Sequence, residues 1–126
     1  MNQTKINVAV VDDDESFACA LGRLFRASGF GVHTYSSAEA FLATSMLPPP
    51  DCLVLDIHLG GMSGLDLQRR LHGVGAPASI IFVTAHDAAG TREEAEQAGC
   101  SAYFLKPVHR KSLLEAIKKA VEPKNH

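Results

Sequence analysis

The chain has 126 residues, 46% of them hydrophobic, and a formal net charge of -2. That is enough apolar chain for one core, and it carries no charge excess to draw it to nucleic acid or to an anionic membrane, so neither partner is expected. The three cysteines, Cys19, Cys52 and Cys100, form no CxxC pair, which argues against a disulfide framework or a zinc site; with no membrane-length apolar run and no signal-peptide h-region, a cytoplasmic setting is expected.

Residues 6 to 11 read as a buried strand, and Asp14 is placed to cap a helix with Phe17, Leu21, Leu24 and Phe25 on one face, ending at Gly29. "GVHTYS" is a second strand, and Ser36 with Glu39 has the S-x-x-E spacing of a capping box opening "SSAEAFLATS". After the break at Pro48, Pro49 and Pro50 comes "CLVLD", a continuous apolar run suited to a strand covered on both faces, then a Gly-rich loop and the helix "SGLDLQRRLHG". "SIIFVT" is a fourth strand, followed by the helix "GTREEAEQAG". "SAYFL" is a fifth, followed after Pro107 by "KSLLEAIKKAV".

Five β-α units in strict alternation predict an α/β domain with a five-stranded, doubly wound parallel sheet, because parallel strands need helical crossovers. One domain is expected over residues 1–122, with 123–126 a polar tail or the start of a linker.

In such a sheet, ligands bind beyond the carboxyl ends of the strands. Strand one ends in Asp12 and Asp13, strand three in Asp56, strand four in Thr84, and strand five in Lys106. Three acids, a hydroxyl and an amine therefore share one rim. Clustered carboxylates need a neutralising proton or cation, and an all-oxygen set favours a hard cation such as Mg²⁺. An aspartate can also attack a phosphoryl group, whose charge would then be met by Lys106 and the metal. Asp14 and Glu15 read instead as a cap and a dipole partner of the first helix.

"VVDDDE", "CLVLDIHLGGMSG", "FVTA" and "YFLKP", in that order and at these separations, resemble the receiver (CheY-like) domain of two-component response regulators over nearly the whole chain. The resemblance implies a flavodoxin-like strand order of 2-1-3-4-5. It makes Asp56 the phosphoacceptor, charged by a histidine kinase or histidine phosphotransfer protein. Asp13 becomes a direct ligand of Mg²⁺ or Mn²⁺, Asp12 acts largely through metal-bound water, and His58 offers its backbone carbonyl. Thr84 and Tyr103 fall at the switch pair, Lys106 pairs with the phosphate, and the Lys106-Pro107 bond is expected to be cis. The resemblance also implies a homodimer or output surface on the fourth helix, fifth strand and fifth helix.

The chain departs from that pattern at Gly60, where the family usually has proline, and Gly61 follows; two glycines should loosen the loop, which bears on the stability of the phosphorylated state and not on its formation. The fourth helix offers mainly Ala88, Ala89, Ala95 and Ala98 as apolar residues and is expected to be mobile. The histidines, among them His33, His58, His72, His86, His109 and His126, show no metal-ligand spacing, and Cys19 and Cys52 read as core.

Two other chemistries fit the fold class. A haloacid-dehalogenase-type phosphatase also uses a strand-end aspartate with Mg²⁺, but looks for a second aspartate where this chain has His58. A flavin or nucleotide site needs a phosphate-cradling loop after strand one, and here that loop is acidic. The expected function is therefore a phosphorylation-operated switch that assists its own phosphorylation and dephosphorylation, not an enzyme acting on external substrates.

Overall fold

The computed structural model describes residues 5–44, 49–75, 78–85 and 88–122. Pro48 of the expected break, His86 and the tail with His126 lie outside them. Five strands, β1 (Asn7–Val11), β2 (Gly31–Tyr35), β3 (Cys52–Leu55), β4 (Ser79–Thr84) and β5 (Ala102–Leu105), alternate with α1 (Glu15–Ala27), α2 (Ala38–Ala43), α3 (Gly64–Gly73), α4 (Thr91–Gln97) and α5 (Arg110–Ala120). All neighbouring strands pair in parallel, in the order β2-β1-β3-β4-β5.

The two-residue strand period divides the core. Val8 and Val10 of β1, Cys52 and Val54 of β3, and Ile81 and Val83 of β4 face Ala18, Leu21 and Phe25 of α1 and Leu113 and Ile117 of α5. The alternate set, Ala9, Val11, Leu53, Leu55, Ile80 and Phe82, faces Phe41 of α2, Leu67 of α3 and Ala95 of α4. Both faces of the central strands are thus covered, which is why β3 reads as four apolar residues without alternation.

Three local expectations need correction or refinement. The cap of α2 is Ser37, not Ser36: its hydroxyl accepts from Ala40 N, and Glu39 turns away to accept from Met62 N at 2.8 Å. A capping box does form, but on α3, between Ser63 and Asp66. Cys52 is buried as expected whereas Cys19 is exposed, because it lies on the outer side of α1. Asp14 caps α1 through Phe17 N at 3.1 Å, and the Lys106-Pro107 bond is cis. Among the described residues, no helix is long and apolar enough to cross a membrane.

Candidate functional site

The register brings the polar strand ends together. Val11 is level with Leu55, and Leu55 with Phe82. Asp12, Asp56 and Thr84 therefore stand at the same carboxyl rim on three adjacent strands, with Lys106 just beyond β5. Backbone bonds hold the exits in place: Asp12 N donates to Tyr35 O, Asp56 N to Val11 O, and Lys106 N to Thr84 O, all at 2.9–3.0 Å.

Asp12, Asp13 and Asp56 each place a carboxylate oxygen within 4.8 Å of the others. Asp12 and Asp56 are almost fully buried, whereas Asp13 is exposed. Lys106 Nζ lies 3.0 Å from Asp12 Oδ2 and 3.3 Å from Asp56 Oδ2. Asp12 Oδ1 accepts from Asp14 N at 2.8 Å, and Asp56 Oδ1 accepts from Ile57 N at 2.6 Å and from His58 N at 3.3 Å. The phosphoacceptor candidate is thus held in one orientation, with both oxygens engaged.

Burial pushes the Asp12 carboxyl above its ordinary range, and the nearby Asp56 adds to this against the opposing Asp14 amide and Lys106. Desolvation alone would lower the Lys106 ammonium, but its pairing with Asp12 and Asp56 outweighs that and raises it. Three carboxylates gather here and Lys106 pairs with two of them, Asp12 and Asp56, so among the described residues the rim calls for further positive charge. The donor set is all oxygen, as a hard divalent cation requires, and the residues fit one.

Thr84 is wholly buried at the end of β4. Tyr103 is also buried, its ring 6.2 Å from that of Phe82 and 5.5 Å from the guanidinium carbon of Arg92 on α4. His58 contributes its amide to Asp56 while its side chain is exposed. Burial pushes the Cys100 thiol up, away from nucleophilic chemistry.

Two contacts were not foreseen from sequence. Phe17 presents its ring 4.2 Å from Lys106 Nζ, a cation–π contact that steadies the ammonium above α1. The helical spacing of Phe17 marked it as apolar face, but nothing local paired it with a lysine so distant in sequence. Arg92 over Tyr103 is the second such contact.

A family model described as the response regulator receiver domain matches residues 8–118. The response regulator protein TmoT of Ectopseudomonas mendocina is 38% identical over 122 residues, covering 97% of this chain and 56% of its own length. Nodulation protein W of Bradyrhizobium diazoefficiens is 38% identical over 119 residues, covering 94% and 52%. The chain thus spans about half the length of these relatives. A CheY-like receiver domain crystal structure from Methanospirillum hungatei JF-1 superposes with a TM-score of 0.87 at 26% identity, covering 94% of this chain and 95% of that one. A match along nearly the whole chain, to sequences and to folds that share this strand order, shows that the chain belongs to the response regulator receiver domain family of two-component signalling.

Proposed function

We propose that Asp56 accepts a phosphoryl group from a histidine kinase or a histidine phosphotransfer protein. The observation that carries this reading is the Asp56 carboxylate, fixed by the amides of Ile57 and His58 and 3.3 Å from Lys106. In the step, an Asp56 oxygen forms the new O–P bond while the N–P bond of the donor phosphohistidine breaks. The leaving imidazole, protonated on its other ring nitrogen, departs neutral. Lys106, paired with Asp12 and Asp56 beforehand, is placed to follow the charge onto the phosphoryl oxygens. A bound Mg²⁺ or Mn²⁺, held by Asp12, Asp13, Asp56 and the His58 carbonyl, would supply the remaining positive charge.

The readout is assigned to Thr84 and Tyr103. The Thr84 hydroxyl moves to a phosphoryl oxygen, and the Tyr103 ring occupies the space behind it, where burial against Phe82 and under Arg92 supports the assignment. The surface that changes is formed by α4, β5 and α5, on which Leu105 is exposed, and it serves output contacts or homodimerisation. Residues 1–122 constitute the receiver unit, and the full chain's formal net charge of -2 offers nucleic acid no attraction, so no direct nucleic acid contact is assigned to it.

The test is intact mass after incubation with acetyl phosphate and Mg²⁺. A single phosphoryl adduct, lost in Asp56→Asn and with EDTA, is the expected result; wild type without adduct sinks the reading.

A further inference from the structure

The loop from Asp56 to Ser63 carries the acceptor and His58, and its two ends are held differently. At the acceptor end, Gly64 N donates to Ile57 O at 2.9 Å, and Gly64 sits so close to the Asp56 carbonyl that a Cβ there would collide with it. At the far end, Gly60 takes a left-handed φ of 82° and the chain swings out toward α2. There Glu39 Oε2 accepts from Met62 N at 2.8 Å. A Cβ on Gly61 would stand 2.7 Å from the same Oε2 and 3.3 Å from Glu39 Cδ, so a side chain at residue 61 would displace the carboxylate from its present place.

We propose that Glu39 is a positioning residue that latches the acceptor loop to α2 and thereby sets the lifetime of phosphorylated Asp56, an inference that rests on the function proposed above. Its base is firm, since the adjacent Ala38 is fully buried and Phe41 packs edge-on against Tyr35 at 5.3 Å between ring centroids. The Met62 amide, with Glu39's own amide, holds the carboxyl below its ordinary range, so it is charged at neutral pH and accepts a charge-assisted hydrogen bond. The two glycines thus do more than relax the backbone: Gly60 makes the turn and Gly61 opens the approach. The freedom they confer is opposed from outside the loop, by a neighbouring helix. Releasing the latch lets the segment carrying His58 swing away and admits water to the acyl phosphate.

The test compares wild type with Glu39→Ala, Glu39→Gln, Gly61→Ala and the Glu39→Ala/Gly61→Ala double variant. Each protein is charged with acetyl phosphate and Mg²⁺, and loss of the adduct is followed by intact mass. Hydrogen exchange of the uncharged proteins follows the Met62 amide. The expected result is a roughly five-fold faster loss in Glu39→Ala and in Gly61→Ala, no further gain in the double variant, near-wild-type behaviour in Glu39→Gln, and faster Met62 exchange wherever the adduct is short-lived. Equal lifetimes in all five overturn the latch while leaving the acceptor assignment intact. Additive effects in the double variant also overturn it, because two parts of one contact cannot be removed twice. No adduct on wild type overturns the acceptor assignment and the inference with it.

Discussion

Helices α1 and α4 lie on opposite faces of the same sheet and are held there by different means. α1 runs 13 residues, is capped by the Asp14 side chain and buries Ala18, Leu21, Gly22 and Phe25. α4 runs 7 residues, starts at Gly90 with no side-chain cap, and buries only Ala95. What α4 lacks in apolar contact is partly replaced by polar ties to α3: Gln68 Nε2 donates to Ala95 O at 3.2 Å, and Arg69 pairs with Glu94 at 2.6 Å. Apolar burial accumulates with area and resists small displacements, whereas one or two hydrogen bonds can be exchanged for water at little net cost. The α1 side is therefore the more firmly anchored of the two; Phe17 of α1 contacts Lys106, and Arg92 of α4 lies over the Tyr103 ring.

The contrast can be broken most forcefully from the α1 side. Phe25→Ala, at a fully buried position, should cost about 3–5 kcal/mol by urea unfolding. A cost under about 1 kcal/mol would mean that α1 is no better anchored than α4. Next in size, Asp14→Ala removes the cap of α1 and should cost about 1 kcal/mol in the same assay.

Gln68→Met keeps the side-chain volume but deletes the tie to α4. Its effect should be local: hydrogen exchange in α4 speeds up by an amount equivalent to about 1 kcal/mol while α1 keeps its protection. The loss should be moderated because Ala95 O still accepts from Cys100 N, and because Gln68 Oε1 is a buried acceptor without a hydrogen-bond partner among the described residues, whose removal relieves a burden.

At the rim, Lys106 holds its proton more tightly folded than unfolded, so its contribution is complete below its ordinary value of 10.5 and fades as pH rises through the higher folded value. Stability measured through that alkaline window should fall more steeply in wild type than in Lys106→Met; identical slopes would show that the ammonium is not stabilised by Asp12 and Asp56. The smallest change is expected from Glu94→Gln. The Arg69 pair is about half exposed, so the urea midpoint should barely move, and less still in high salt.

Much of this was legible in the sequence because periodicity is a local property. A run such as Val8 to Val11 or Cys52 to Leu55, bounded by turn residues, is typical of a strand covered on both faces, and polar residues that interrupt such runs at their ends gather on one rim once the strands are parallel. The placement of Asp12, Asp13, Asp56, Thr84 and Lys106 on one edge followed from that, as did the weak apolar face of α4.

What tertiary structure alone decided depends on which side chain arrives from a distant segment. Both Ser36 and Ser37 could start α2, and Glu39 stood at capping-box distance from Ser36. The cap went to Ser37, and the Glu39 carboxylate is taken instead by a backbone amide at Met62, 23 residues away. The role of Gly61 was hidden for the same reason: missing side-chain volume reads as slack until something is found to occupy the space. Phe17 beneath Lys106 and Arg92 over Tyr103 are likewise meetings of remote residues, fixed by sheet order and helix rotation, and no spacing rule along the chain encodes them.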